Sequence, residues 1–319
     1  RTLFLKTIKY LVKYKERINL IKTLGVAGVA SIIPPQSFSL TKNNDSPFSF
    51  CLNTSTIKGS LTEKIDIASD AGYDGVELWI RDIKKYTDGG KTIKDLHRYI
   101  ADKGLKVENA IGFVSCFVDD EKKRLEAFKQ MRAEMEIMTQ LGCTRIAASP
   151  VGLKKESMPE WSDIGKRYKA LLALGRETGV MPQLEFWGAS GTVFHLGQAL
   201  MIAAWANDSD ARILADVYHM FRGNSGFDAL KMLNGNLIEI FHMNDYPSNI
   251  IREEQKDADR VYPGDGAAPM KQILAGLKNM GGKKVLSLEL FNPEYWKQDQ
   301  LMVAKTGLQK MKRLVNMVC

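Results

Sequence analysis

From residue 48 onward, short apolar runs alternate with longer stretches in which apolar side chains recur every three or four positions. The short runs are FSFCLNT (48–54), GVELW (75–79), KVENAIGF (106–113), TRIAASP (144–150), MPQLEFW (181–187), RILADVYH (212–219), LIEIFHMND (237–245) and KVLSLELF (284–291). Most lack the strict polar alternation of a strand with one wet face, so they predict strands buried on both faces in a parallel sheet. The longer stretches, among them LTEKIDIASDAG, KRLEAFKQMRAEMEIMTQLG and RYKALLALGRETG, read as amphipathic helices closed by a glycine suited to a left-handed C-cap. A last helix is expected from about Gln298 to Val315. Eight strand-plus-helix units in about 270 residues are what a (β/α)8 TIM barrel requires. A doubly wound sheet is the alternative, but no GxGxxG follows the first strand. No linker rich in Pro, Gly or Ser divides this body, so residues 46–319 are expected to form one barrel domain behind an extension of residues 1–45.

Composition changes this picture little in the body and much at the N-terminus. At 45 % hydrophobic residues the chain has ample material for a core. Residues 1–40 hold seven basic residues against the single acid Glu16, so six of the eight net positive charges lie there and the remainder carries only +2. A nearly neutral body gives no basic footprint for nucleic acid. The basic start is followed by LGVAGVASII and Pro34-Pro35, the order of an export signal, which predicts a periplasmic or exported protein and a cytoplasmic one if the segment is not a signal. RINLIK at 17–22 resembles a twin-arginine signal except that Ile18 replaces the second arginine. No stable membrane span is expected in the mature chain. Cys51, Cys116, Cys143 and Cys319 show no CxxC spacing and read as mostly buried thiols, with one disulfide open to an exported chain.

Four of the strand runs end in residues that bind hard metals: Glu185, Asp216, His242 and Glu289. Ionised carboxylates at buried strand ends need a positive partner. A divalent cation held by three carboxylates and one imidazole would supply it and leave coordination positions for substrate oxygens. In a barrel these residues all fall at the C-terminal ends of strands, where active sites are built. Glu77 ends the second strand at the same face, where it would hydrogen-bond a substrate or a metal ligand, or form half of a structural ion pair. Trp79 and Trp187 would wall a sugar ring or simply pack at the rim. Asp245 would orient His242 or meet substrate, and the charged loop 247–266, with Arg252 and Arg260, has the length of a lid. His97 and His195 read as surface or capping residues.

The Glu in QLEFW, DVYH, FHMND, the YPGDG loop at 262–266 and LSLELF, in this order, resemble the xylose-isomerase-like TIM-barrel superfamily of sugar isomerases and epimerases over about residues 48–315. The resemblance implies one metal on Glu185, Asp216, His242 and Glu289, a substrate hydroxyl at His219, and Glu185 and Glu289 as the proton-transferring pair. It also implies an arginine six residues after the strand-7 histidine. Ser248 stands there, so Arg252, or else Arg260, is expected to take that place at the substrate. The expected ion is Mn2+, with Mg2+ or Co2+ as alternatives.

The function these readings imply is metal-dependent isomerisation or epimerisation of a small sugar or sugar derivative through an enediolate. Expulsion of a β-leaving group from the same intermediate, a dehydratase or lyase reaction on a keto-sugar or inosose, is the alternative. A repair nuclease of this superfamily resembles a histidine-rich zinc site, whereas this chain has four histidines in all. A sugar-binding barrel without turnover is the non-enzyme reading. The expected partner is a small carbohydrate, and a homodimer is compatible with the sequence.

Overall fold

The computed structural model describes residues 46–319, so the signal-like segment lies outside the described residues. Eight strands run in parallel: β1 (Phe48–Asn53), β2 (Gly75–Trp79), β3 (Lys106–Ile111), β4 (Arg145–Ala148), β5 (Met181–Glu185), β6 (Ile213–Asp216), β7 (Ile240–Met243) and β8 (Lys284–Leu288). Their order is β3-β2-β1-β8-β7-β6-β5-β4, and β3 and β4 pack against each other at the seam, which makes a nearly closed TIM barrel. At least one helix follows each strand: α1 (Leu61–Ala71), α2 (Ile80–Asp88), α3 (Ile93–Asp102), α4 (Glu121–Gln140), α5 (Trp161–Thr178), α6 (Leu196–Ala206), α7 (Val217–Arg222), α8 (Met270–Met280), α9 (Pro293–Trp296) and α10 (Gln300–Val315).

Local chemistry sets the boundaries. Ser60 and Glu63 form a reciprocal capping box that starts α1. Asp120 and Asp299 accept backbone N–H groups at the starts of α4 and α10. Gly179 ends α5 at φ 76°, a left-handed conformation that a side chain would strain. Side chains alternate across each strand. Leu52, Leu78, Ala148, Ile213 and Leu288 join the large core between strands and helices, whereas Cys51, Trp79, Ile111, Ala147, Leu214, Ile240 and Val285 form a second, smaller core.

The strand runs read from the sequence hold, but most are shorter at their C-terminal ends. RILADVYH is strand only to Asp216, because Asp216 Oδ1 accepts the N–H of His219 at 2.8 Å and caps α7. The cap puts His219 one helical turn above Asp216. All four cysteines are free, with Cys51, Cys116 and Cys143 buried and Cys319 exposed. Among the described residues no helix is long and apolar enough to cross a membrane.

Candidate active site

Parallel register assembles a polar layer at the C-terminal end of the barrel. Asn53 on β1 stands opposite Glu77 on β2, Glu77 opposite Asn109 on β3, Asp216 on β6 opposite His242 on β7, and His242 opposite Ser287 on β8. Glu289 follows the last residue of β8. The layer lies at the ends of buried strands, so every charge in it must find a partner inside the protein.

Glu77 anchors the layer. Its carboxylate accepts Asn53 Nδ2 and Ser287 Oγ at 2.7 Å each, Asn109 Nδ2 at 2.8 Å, and His242 Nε2 at 3.0 Å. Burial pushes the Glu77 pKa up, but His242 and these hydrogen bonds more than offset it and keep the group below the ordinary value. Glu77 is fully buried, its oxygens are all committed and it does not line the cleft, so it holds the His242 imidazole and does not meet substrate. Nε2 is committed to Glu77, so Nδ1 is the nitrogen that can offer a lone pair to a cation once its proton is lost. Nδ1 lies 3.2 Å from Glu289 Oε2 and 3.7 Å from Asp216 Oδ2, yet makes no hydrogen bond. Burial lowers the His242 pKa, but Glu289 and Glu77 outweigh that and hold it well above the imidazole range. A cation entering beside Nδ1 would displace that proton.

Asp216, His242 and Glu289 each offer one ligand atom within 4.8 Å of the others, the arrangement a metal site needs. The orphaned Nδ1 and the O, O, N donor set fit a divalent cation. Asn244 Nδ2 steadies Asp216 Oδ2 at 2.9 Å, and Asn53 Nδ2 steadies Glu289 Oε1 at 3.0 Å. Glu185 is not in this cluster. Ser149 Oγ, on the segment after β4, donates to Glu185 Oε2 at 2.5 Å and holds the carboxyl at the cleft. Burial pushes its pKa up to about 7, against the opposing pull of His242 and Ser149.

Arg260 enters from the loop after β7. Its Nη1 lies 2.9 Å from Asp216 Oδ2 and 2.8 Å from Glu289 Oε2, and its Nη2 lies 2.6 Å from Asp257 Oδ1. Nη2 is also 3.3 Å from His219 Nε2. Arg260, not Arg252, is therefore the arginine at the site. Arg252 is spent on Asn224 and Glu253 outside the cleft lining. The reason is backbone path: the loop bridges back to the barrel at Asp245 and Val261, which brings the preceding residue, Arg260, over the strand ends.

Asp245 serves that same loop. Its two oxygens accept the backbone N–H groups of Tyr246, Gly264, Gly266 and Ala268 at 2.8 to 3.0 Å, so it neither orients His242 nor faces substrate. A side chain at Gly266 would place its Cβ 2.4 Å from Asp245 Oδ1 and 2.2 Å from the Tyr246 carbonyl oxygen, which explains the glycine of YPGDG. His195 caps α6, with Nδ1 accepting the N–H of Gly197, and His97 lies within α3, as read from the sequence.

Above this layer opens a cleft of about 630 Å³ lined by Glu185, Glu289, His219 and Arg260, and walled by Trp79, Trp187, Phe113 and Phe291. Phe113 bridges the tryptophans, with ring centroids 5.5 Å from Trp79 and 5.9 Å from Trp187. Asp257 and Ala258 contribute from the loop expected as a lid. The sequence reading passed over Asn53, Ser149, Asn244 and the two phenylalanines. The one available signal was a polar residue at the end of a buried strand, as in FSFCLN and IAAS.

Residues 65–314 match the family described as "Xylose isomerase-like TIM barrel". The inosose isomerase of Bacillus subtilis (strain 168) is 30 % identical, over 82 % of this chain and 95 % of its own length. The 3-dehydroshikimate dehydratase of Pseudomonas putida is 23 % identical over 81 % of this chain and 40 % of its own length. Among solved structures, that of the IOLI protein with a bound zinc atom superposes with a TM-score of 0.78, at 26 % identity, over 85 % of this chain and 99 % of that one.

Proposed function

The chain belongs to the xylose isomerase-like TIM-barrel family and is an enzyme of it, and we propose that it isomerises a small keto-cyclitol or keto-sugar by moving a proton α to the carbonyl. Asp216, His242 and Glu289 would hold one divalent cation, Mn2+, Mg2+ or Zn2+ by donor chemistry. Such an ion would supply positive charge to the substrate oxygens during proton loss.

Glu185 is the base. It lines the cleft beside the metal-ligating cluster but outside it, and a carboxyl with a pKa near 7 is matched to taking and returning a proton at neutral pH. This placement carries the proposal. Ser149 fixes the Glu185 rotamer through Oε2, and the Trp187 side chain also hydrogen-bonds the carboxyl at the cleft where the substrate hydrogen would be taken. Glu289 has Oε1 on Asn53 and Oε2 beside Nδ1 of His242. That leaves Glu289 as a ligand and Glu185 as the single proton carrier, which suits migration of a carbonyl to the neighbouring carbon better than inversion between two bases. His219 Nε2 would meet a substrate hydroxyl, and Trp79, Phe113 and Trp187 would stack on the C–H face of the ring. The likeness to inosose isomerases over nearly their full length supports this substrate class. The likeness to 3-dehydroshikimate dehydratases supports a second reading, in which the same proton loss is followed by departure of a β-hydroxyl.

The test is proton NMR in D2O with Mn2+ and a panel of inososes and ketoses. Isomerisation with part of the migrating hydrogen retained in the product is the expected result, and it should vanish in Glu185→Gln. Full turnover by Glu185→Gln would sink the assignment, and formation of an unsaturated product would select the elimination.

A further inference from the structure

We propose that Arg260 is a built-in counter-cation, which occupies the seat of the metal in the metal-free protein and exchanges with the incoming ion. This inference rests on the metal site proposed above.

Asp216 and Glu289 have two oxygens each, and their commitments are specific. Asp216 Oδ1 is bound by the His219 backbone N–H and Glu289 Oε1 by Asn53 Nδ2. The oxygens that face His242 Nδ1, where a cation would bind, are Asp216 Oδ2 and Glu289 Oε2. A single guanidinium nitrogen, Arg260 Nη1, caps both. Asp216 Oδ2 also accepts Asn244 Nδ2, so both of its lone pairs are in use, and a metal bond to it needs the one that Nη1 holds. Two positive charges on the same oxygens in a buried site also repel strongly.

The guanidinium lies over the rings of Tyr218 and Phe291, 4.6 and 5.1 Å from their centroids, but not all of its polar contacts are favourable. Arg260 Nε is buried without a partner. Nη2 faces His219 Nε2, while His219 Nδ1 faces the N–H of Gly188 at 3.3 Å. A neutral imidazole carries one hydrogen and cannot accept at both nitrogens, so one of these two contacts is opposed. The outward tether is sound. Nη2 donates to Asp257 Oδ1 at 2.6 Å, and Asp257 lies on the loop at the cleft, with its side chain 56 % exposed. A guanidinium leaving Asp216 and Glu289 stays with Asp257 and turns its donors into the cleft, and His219 Nε2 is freed to donate. Loading the metal thereby completes the polar wall that a hydroxyl-rich substrate meets, so metal and substrate affinity are coupled through one side chain.

The experiment is calorimetric titration of Mn2+ alone into the full chain, wild type against Arg260→Gln, Asp257→Asn and the double variant, each stripped with chelator first. Arg260→Gln removes the competitor, and its Mn2+ affinity is expected to rise by about 5- to 150-fold, the span of an ordinary coupling free energy. Asp257→Asn weakens the outward tether, and its affinity is expected to fall. In the Arg260→Gln background the Asp257 change should lose its effect. Metal-free Arg260→Gln should melt lower than wild type and recover more on adding Mn2+. Unchanged or weaker binding in Arg260→Gln overturns the exchange while leaving the metal site standing. An equal effect of Asp257→Asn in both backgrounds overturns it also, and has the advantage of an exposed substitution that does not threaten folding. Failure of wild type and variants alike to bind Mn2+ overturns the exchange together with the metal reading, and so separates the two.

Discussion

Replacing Glu185 by Gln is expected to stabilise the metal-free protein, and to do so only at neutral and alkaline pH. The folded protein raises this carboxyl from its ordinary value of 4.5 to about 7. The sign follows from which state holds the proton more tightly. With the folded pKa above the unfolded one, full stability is present below about 4.5 and is lost as pH rises through about 7. At 1.36 kcal/mol for each tenfold change in acidity, the complete loss is roughly 3.4 kcal/mol, of which about 2.5 falls between pH 5 and pH 8.5. Gln carries no charge to bury, and its carbonyl oxygen can accept the same hydrogen from Ser149. Urea unfolding with chelator at the two pH values gives the stability of each protein. The advantage of Glu185→Gln over wild type should be about 2.5 kcal/mol larger at pH 8.5 than at pH 5. An advantage that is the same at both would mean that the carboxyl titrates normally, and the case for a base poised near neutrality would fall with it. A gain in stability together with loss of turnover is the trade expected where a charge is buried for chemistry.

Other perturbations test neighbouring steps. For the wild-type enzyme with metal in excess, kcat/KM should rise with pH as Glu185 ionises, with the midpoint drawn by the cation below the metal-free value of about 7, and a flat profile at all pH values where the protein stays folded would contradict its role as base. Glu77→Gln loosens the hold on His242 Nε2, and Mn2+ affinity measured by chelator competition should drop by about 10- to 100-fold, as for other groups that orient a metal-binding histidine. Asp245→Ala strands four backbone N–H groups, so it should cost about 3 kcal/mol or more in urea unfolding. Gly266→Ala should show a comparable loss by crowding the same carboxylate. A near-neutral result for both would show that the loop is held elsewhere.

The barrel was legible because its strands are buried on both faces and its helices on one, and these two periods differ in the sequence. The ends of elements were less so. DVYH reads as strand by composition, and only the capping bond from Asp216 to the His219 N–H turns it into helix. Of the site, the gathering of Asp216, His242 and Glu289 was legible, because charged groups closing buried apolar runs need a shared partner. Glu185 was legible as a carboxylate at the same barrel face, but its place at the cleft is held by Ser149, a residue 36 positions away with nothing distinctive in its local sequence.

What the sequence determined by itself is therefore whatever depends on short-range pattern: eight strand–helix units, the face on which polar residues collect, and the chemical types gathered there. Tertiary structure alone decided which of those groups touch. Glu77 meets His242 across 165 positions, and Arg260, not Arg252, reaches Asp216 and Glu289 across 44 and 29. Such pairings are set by strand register and by the path of a loop. A carboxylate's role in this site is fixed by the one or two lone pairs its neighbours leave free, and that is a property of the assembled barrel and not of any segment of it.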